Sequence, residues 1–446
     1  MFLFLAMKPI SKLRFDSLAG YSRSPISYIA FHELGWFEEA NEKVLGVLAL
    51  DLPDKDYDCF VLGRDKKGCF RAVWLGHSIP TAEEACKKLE LKLAEFAQMP
   101  PEAFYQDDEK GEPLDFFMAV VETEKQNFGF SSLNSNRGRS SARELLAELM
   151  HYYEDVDGNF VKDFQSTGFD ARIWELYLFA VFTELSYGFD RQHPAPDFHC
   201  RGLLGEFFVE ATTVNPSAEK PEINESTEQA YFEHYVPIKF GSVLLSKLRK
   251  KYWEYPHVAG YPFLIAVQDF HAPQAMIWSN SALVEYLYGI RQVERKKPDS
   301  SSEILSERVD GYRWGSKEIP SGFFHQPDTE NISAILANPS GTISKFNRMG
   351  FLAGFGDLNV HMIREGICYR GSLVVEEFVS EVHSPYYSET WCEGLSVYHN
   401  PKAIHPLPAS ALPGAAHHYS RDGRIFSHNP PFYPIGSITN IFLKDE

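Results

Sequence analysis

Three acidic residues of this 446-residue chain come from three elements that could converge, and two of them stand where a carboxylate is costly. Glu175 lies in residues 171–185, a segment that is apolar almost all the way round and therefore predicts a buried helix. Asp197 follows a proline, and Glu210 lies on a predicted strand whose alternating faces are both largely apolar. A carboxylate in apolar surroundings persists only when it is paired, hydrogen-bonded or bound to a metal ion. The three acids therefore predict one polar site if their elements converge.

The elements that must position these acids follow a definite order. Apolar patterns first predict helix 171–185, then a short strand 188–192 and two further strands, one beginning near Asp197 and one carrying Glu210. A helical segment, 228–254, and a buried strand, 262–267, are predicted to follow. The order is helix, three strands, helix, strand. Together with Pro196-Asp197 and the later Glu210, it resembles the PD-(D/E)xK nuclease superfamily. This resemblance covers about a hundred residues, and its motif is short.

The resemblance implies an α/β chain with a restriction-endonuclease-like αβββαβ core. It also implies metal-dependent hydrolysis of phosphodiester bonds, since Mg²⁺ prefers carboxylate oxygens while keeping several waters. By this analogy Asp197 and Glu210 hold Mg²⁺ or Mn²⁺, and the carbonyl of Ala211 is a further ligand. Glu175 completes the acidic cluster or orients a metal-bound water.

One position departs from the family pattern. The residue two places after the motif Glu is usually Lys, and here it is Thr212. In some branches a Lys on the following helix reaches the same place and stabilises the charge that develops on phosphate. Lys247 is the better candidate because it flanks the apolar stripe of Val243 and Leu244, and Lys239 is the reserve. If neither side chain reaches the acids, the expectation becomes a site that binds metal but cuts poorly.

Composition and turn signals predict four segments. The chain has 44% hydrophobic and 14% aromatic residues, enough for two or three domains with sizeable cores. An N-terminal α/β meander domain is predicted for residues 1–125, and a Ser/Asn/Gly-rich linker for 126–140. The nuclease-like core is assigned to 141–303, and a β-rich C-terminal domain to 304–446.

Charge and cysteine usage constrain partners and compartment. A net charge of −18 opposes simple electrostatic capture of nucleic acid, so a nuclease here needs divalent metal, a local basic patch or a basic partner. The expected substrate is nucleic acid, with DNA favoured, and a homo-oligomer or a partner protein is compatible with this charge. The six cysteines are scattered without a C-x-x-C pair, the apolar start Met1–Met7 is short, and no run has the length of a membrane span. These features predict a cytoplasmic protein without a membrane segment.

Two other classes of function stay open at this stage. The first is a catalytically inactive nuclease-fold protein that acts as a nucleic-acid-binding or scaffold subunit, which Thr212 and the acidic charge favour. The second is a different hydrolase that uses Cys200 or the C-terminal histidines 361, 383, 399, 405, 417, 418 and 428. A role in defence against foreign DNA is inferred by analogy alone.

Overall fold

The computed structural model describes residues 7–109, 113–156, 158–218, 221, 223–224, 226–296, 302–371 and 374–444. The predicted apolar start (residues 1–6) and much of the predicted boundary near 303 (residues 297–301) lie outside the described residues. The following bounds and contacts refer to the described ranges.

The helices are numbered in chain order. They are α1 (Lys12–Ala19), α2 (Ser27–Ala30), α3 (Ala82–Ala97), α4 (Phe128–Ser135), α5 (Ser140–Tyr152), α6 (Phe160–Gln165), α7 (Phe169–Glu184), α8 (Glu228–Ala230), α9 (Val236–Leu248), α10 (Ala275–Trp278), α11 (Asn280–Tyr288) and α12 (Ile343–Leu352). A π-helical turn, Tyr231–Tyr235, joins α8 to α9. Pro237, at the start of α9, lacks the N–H that would close a regular helical bond back into this turn.

The strands form five sheets. They are β1 (Lys8–Ile10), β2 (Phe31–Glu39), β3 (Val44–Asp51), β4 (Tyr57–Arg64), β5 (Phe70–Ile79), β6 (Gly188–Phe189), β7 (Phe198–Gly202), β8 (Gly205–Val214), β9 (Phe263–Asp269), β10 (Ile290–Lys296), β11 (Ser302–Arg308), β12 (Gly311–Trp314), β13 (Lys317–Pro320), β14 (Ala334–Ala337), β15 (Val360–Arg370), β16 (Val375–Glu381), β17 (Ser396–His399), β18 (Ala416–Arg421), β19 (Arg424–His428) and β20 (Phe432–Leu443). The mixed α/β class predicted from the sequence is confirmed.

The largest sheet has eight strands in the order β19-β18-β17-β14-β9-β8-β7-β6. Strands β6, β7 and β8 form an antiparallel meander, whereas β9 pairs parallel to both β8 and β14. A parallel partner needs a crossover, and α9 lies within the connection between β8 and β9. The described chain thus contains α7, three strands, α9 and β9 in the predicted sequence order.

Each face of this sheet carries a separate hydrophobic core. One core joins α5, α7 and α12 to Val209 and Ala211 of β8. The other joins α9 and α11 to Phe208 and Val214 of the same strand. Alternate residues of β8 therefore enter different cores, which explains why both of its faces are apolar.

Helix α7 is apolar almost all the way round because its whole central part, residues 173–182, is buried. Trp174 donates its indole N–H to the Ala266 carbonyl of β9 at 3.1 Å, which anchors α7 to the sheet. On its outer side Phe179 stacks on Tyr21 with ring centroids 5.5 Å apart. Full burial of each large apolar side chain contributes about 1.5–3 kcal/mol.

The N-terminal region is the predicted antiparallel meander with one helix on it. Its sheet has the order β1-β2-β3-β4-β5. Thr81 caps α3 by accepting a hydrogen bond from the Glu84 backbone N–H at 3.2 Å, as the capping-box sequence predicts. The opposite face of the sheet places Leu45, Leu62 and Phe70 in the same core as α7, so the meander packs directly on the central body.

Two predicted boundaries fall in ordered structure. Residues 126–140, predicted as a linker, contain α4 and a 3₁₀ turn, because Asn127 and Asn136 use their side chains to cap these two short helices. The central sheet also continues beyond residue 303, since β14 pairs with β9 and is followed by β17, β18 and β19. The predicted domain boundary at 303–304 thus separates neighbouring strands of one sheet.

A fragment ending at residue 303 tests whether the predicted core folds alone. We expect it not to unfold cooperatively, because it lacks the strand beside β9 and the buried side chains of Leu336, Phe346 and Val397. Urea unfolding followed by circular dichroism would measure this against the full chain. A single sharp transition in the fragment would restore residue 303 as a true domain boundary.

Candidate active site

Two of the predicted acids are brought together by the register of β7 and β8. The ladder pairs Phe198 with Val209, so the next position places Asp197 beside Glu210 where the ladder ends. The Asp197 carboxylate turns towards the part of the β8 edge that lies beyond the end of β7, and it accepts the Ala211 backbone N–H at Oδ2, 2.7 Å away. The predicted metal-binding residues Asp197, Glu210 and Ala211 are therefore neighbours in space.

Lys247 meets this pair from α9. Its Nζ lies 2.5 Å from Glu210 Oε1, and its side chain is 18% exposed. The helix crosses the face of the sheet on which Glu210 lies, and Leu244 and Leu248 on either side of Lys247 pack into the core beneath it. Lys247 is thus held beside the acids by the apolar stripe from which its position was predicted.

Tyr252 is a member of the site that sequence reasoning missed. Its hydroxyl donates to Glu210 Oε1 at 2.6 Å, so this oxygen accepts from both Lys247 and Tyr252. Burial and the Glu210 charge raise the pKa of Tyr252, which keeps the phenol protonated as a donor. The sequence offered no signal for this contact, because 42 residues separate its two partners.

One carboxylate oxygen of each acid is without a hydrogen bond from the residues that the structure describes. Within the described part of the chain, Asp197 Oδ1 and Glu210 Oε2 accept no hydrogen bond. Across the same residues, no group of three or more His, Cys, Asp and Glu side chains could by itself hold a metal ion. Two carboxylates together with a backbone carbonyl and waters form a donor set that suits Mg²⁺, which seldom uses an all-protein cage.

The surroundings of Asp197 disfavour the charged form of its carboxyl group. Burial, the charge of Glu210 and the charge of Glu175 together raise the pKa of Asp197 well above its ordinary value. A nearby cation would reverse this effect by favouring the carboxylate. Perturbed carboxyls of this kind concentrate at functional sites, although structural ion pairs perturb pKa values as well.

Glu175 is buried as predicted but has partners of its own. Arg172 donates to both of its oxygens at 2.9 and 3.0 Å, and the Tyr153 hydroxyl donates at 3.2 Å. It is carried by α7 on one face of the sheet, whereas Glu210 points towards α9 on the other. Its charge acts on Asp197, but Glu175 does not join Asp197 and Glu210 in one compact cluster.

The other two predicted residues lie apart from the acid pair. Lys239 donates to the Asn215 carbonyl at 2.5 Å and to Ser217 at 3.1 Å, beyond the end of β8. Burial lowers the pKa of Lys239. Thr212 is half-buried on the Glu210 side of β8, and its hydroxyl supplies no positive charge.

Arg191 contacts the backbone of Asp197, and it was not predicted from the sequence as a site residue. It donates to the Asp197 carbonyl at 2.6 Å and lies over the rings of Tyr153 and Phe198, 4.9 and 5.0 Å from their centroids. Its Nη2 is buried without a hydrogen-bond partner among the described residues. Arg191, Asp197 and Glu175 line a cavity of about 40 Å³, which adjoins a larger one of about 490 Å³ across Tyr153.

The alternative hydrolase finds little support in the geometry. Cys200 is fully buried, and burial raises the pKa of its thiol well above the ordinary value, which disfavours the reactive thiolate. His399 and His417 contact each other at 2.9 Å in a buried pair. Burial and the neighbouring His417 lower the pKa of His399 to about 4, so this pair is neutral near pH 7.

Comparison with protein families, with curated proteins and with solved structures gives no match to this chain. The search of the described helices for a span long and apolar enough to cross a membrane also finds none.

Replacing Asp197 with Asn should stabilise the protein at neutral pH in a chelator. The carboxyl has a raised folded pKa, so the wild type loses stability as pH rises from the unfolded value of about 3.9 towards the folded pKa. Asn keeps an oxygen for the Ala211 N–H and carries no charge. Each kcal/mol regained corresponds to a rise in Tm of roughly 2–4 °C or less for a chain of this size.

Thermal unfolding in EDTA between pH 4 and pH 8 would measure the difference. The gain of the Asn variant should be largest at high pH and should shrink towards pH 4. A difference that does not change with pH would contradict the raised pKa of Asp197.

Proposed function

We propose that this protein is a divalent-metal-dependent nuclease that hydrolyses phosphodiester bonds, with DNA as the favoured substrate. The observation that carries the proposal is the contact between Lys247 and Glu210 beside Asp197. Two carboxylates with free oxygens and one lysine form the minimum set for this chemistry, and here a helix supplies the lysine that β8 lacks.

The order of elements supports a restriction-endonuclease-like core. An acid precedes β7, an acid lies on β8, and a cation comes from the helix that leads to the parallel strand β9. These are the positions that the family resemblance assigns to the metal ligands and to the displaced lysine. The proposed core runs from α7 to β9, and the remaining strands of the sheet extend it.

Each residue has a role that follows from its contacts. Asp197 and Glu210 would hold the ion, and the Ala211 N–H fixes the Asp197 carboxylate through its Oδ2. A bound divalent ion would supply charge for the phosphate and a water of lowered pKa. Tyr252 keeps Glu210 in place when Lys247 leaves it, and the long side chain of Lys247 can then donate to a phosphate oxygen.

The net charge of −18 makes the metal part of substrate binding as well. The two acids repel a phosphate backbone unless a cation neutralises them, so we expect binding at this site to depend on divalent ions. This coupling would limit background binding of nucleic acid. A cytoplasmic role in defence against foreign DNA is consistent with such an enzyme and remains part of the proposal.

Asp197→Ala and Glu210→Ala should each abolish Mg²⁺- or Mn²⁺-dependent cleavage while the protein stays folded. Each substitution removes one of the two carboxylates available to the ion. Single-turnover assays on single- and double-stranded DNA and RNA would measure this, with circular dichroism as the check on folding. Full cleavage by both variants would refute the nuclease proposal.

Lys247→Ala should lower the cleavage rate by about 10²–10³, the usual effect of removing one electrostatic stabiliser, while metal binding persists. Arg249→Ala is the matched control, since Arg249 is an exposed cation two residues further along the chain. Lys250 is less suitable because its Nζ lies 5.6 Å from the centre of the Tyr252 ring. Thr212→Lys in the Lys247→Ala background should restore part of the rate, and equal rates for the two alanine variants would exclude the displaced lysine.

The inactive nuclease-fold protein remains the second candidate, because Glu210 is already neutralised by an ion pair. Under this alternative Lys247 holds Glu210 permanently, and the acids never bind metal. Isothermal titration with Mn²⁺ separates the two candidates. Metal binding lost in Glu210→Ala supports the enzyme, whereas nucleic-acid binding that is indifferent to metal supports the scaffold.

A further inference from the structure

A second cavity lies in the C-terminal part of the chain, away from the acid pair. Its volume is about 580 Å³, within the range of small-molecule sites. It opens between the sheet β16-β15-β20 and the segment that carries Tyr386 and Tyr387. Neither Asp197, Glu210 nor Lys247 contributes to its walls.

Arg364 borders this cavity with an incompletely paired guanidinium. The residue is 1% exposed, and its Nη1 donates to Glu393 at 2.6 Å and to the Tyr387 hydroxyl at 3.3 Å. Its Nε donates to Ser437 at 3.1 Å. Its Nη2 is buried and has no partner in the described ranges. An unsatisfied buried donor on a charged group is costly and is uncommon in folded proteins.

The charges behind Arg364 leave a formal excess of positive charge. Lys345 and Arg348 contact Glu389 at 2.7 and 2.8 Å, and Arg364 lies 3.4 Å from the same carboxylate. With Glu393 included, three cations share two carboxylates. The whole protein has a net charge of −18, so a local excess of positive charge is unusual in it. Such an excess would attract an anion.

The open side of the cavity combines a cation with aromatic rings. Arg370 is exposed and lies 5.4 Å from the centre of the Phe432 ring, which meets Phe378 edge-on at 5.2 Å. Tyr386 stands at the rim with 94% of its surface exposed. Stacking surfaces beside a cation suit a flat ring joined to an anionic group.

Two acidic residues also line the cavity and limit the ligand. Glu393 is held by Arg364, whereas Glu381 is exposed, so solvent screens its charge. The serines 380, 384 and 388 in the lining offer hydroxyl donors and acceptors. The lining therefore favours a small anion over an extended polyanion.

We propose that this cavity binds a mononucleotide-like phosphate ester, with its phosphate near Arg370 and above Arg364 and its flat ring against Tyr386 and Phe432. The site is independent of the proposed nuclease reaction. It would give the protein a second ligand that the acid pair does not handle.

The test uses the full chain in EDTA, with AMP, inorganic phosphate and adenosine as separate probes in isothermal titration calorimetry. We expect AMP to bind more tightly than either phosphate or adenosine, because only AMP engages both the cations and the rings. Arg370→Ala should weaken AMP binding by about tenfold or more, the scale of one charge-assisted hydrogen bond. Tyr386→Ala should weaken AMP by about tenfold and leave phosphate unchanged.

Both substitutions are at exposed positions, so folding should be unaffected. Arg424→Ala on β19 is the matched exposed control and should bind AMP like the wild type. Asp197→Ala should also bind AMP normally, which separates this result from any failure of the nuclease proposal. Absence of AMP binding at millimolar concentration, or binding equal in the wild type, Arg370→Ala and Tyr386→Ala, would overturn the assignment.

Discussion

The double burial of β8 is the constraint on which the rest of the structure depends. This strand is hydrogen-bonded on one edge to β7 and on the other to β9, and each of its faces enters a different core. Such a strand tolerates a charge only where the neighbouring strand ends and a compensating group can enter. Glu210 occupies such a place, beside the end of β7 and beneath α9. The register of β7 and β8 places the apolar residues of β8 in the two cores, and it therefore also fixes the position of Asp197 and Glu210.

Two carboxylates in this protein show how different surroundings shift the pKa of an acid in opposite directions. Burial alone would raise the pKa of Glu389, but Arg348, Arg364 and Lys345 outweigh it and hold this pKa well below the ordinary value. Asp197 has the opposite balance, because burial and two neighbouring acids raise its pKa and Lys247 only partly offsets them. Glu389 has the cations it needs within the fold.

Local sequence patterns predicted the parts of the fold that depend on residues close together in the sequence. The apolar run around Glu175 predicted a buried helix, and the stripe beside Lys247 predicted which lysine faces the acids. One error was local, and the other came from contacts between distant residues. Asn127 and Asn136 read as linker residues but cap helices, and nothing before residue 303 indicates that β14 will pair with β9.

The site residues divide in the same way. Glu210 was predictable because a carboxylate between two apolar faces is anomalous, and Asp197 because it follows Pro196 in the motif that carries the family resemblance. Tyr252 and Arg191 were not, because a tyrosine among aromatics and an arginine after a short strand have ordinary explanations. Lys345 and Arg348 lie three residues apart on α12 and would pass for an exposed helical face, although both are buried. A single sequence does not show which partners reach such residues through the fold.

The placement of the cation on a helix has a consequence for control of the site. A lysine on β8 would be held in place by the two neighbouring strands. Lys247 instead moves with α9, which contacts β8 through side chains and follows the π-helical turn Tyr231–Tyr235. A slide of α9 by one helical turn, about 5.4 Å, would carry the ammonium out of reach of Glu210 and leave both acids in place. An agent that binds this helix could therefore separate Lys247 from Glu210 without touching either acid. The docking of α9 thus determines whether Glu210 keeps its cationic partner.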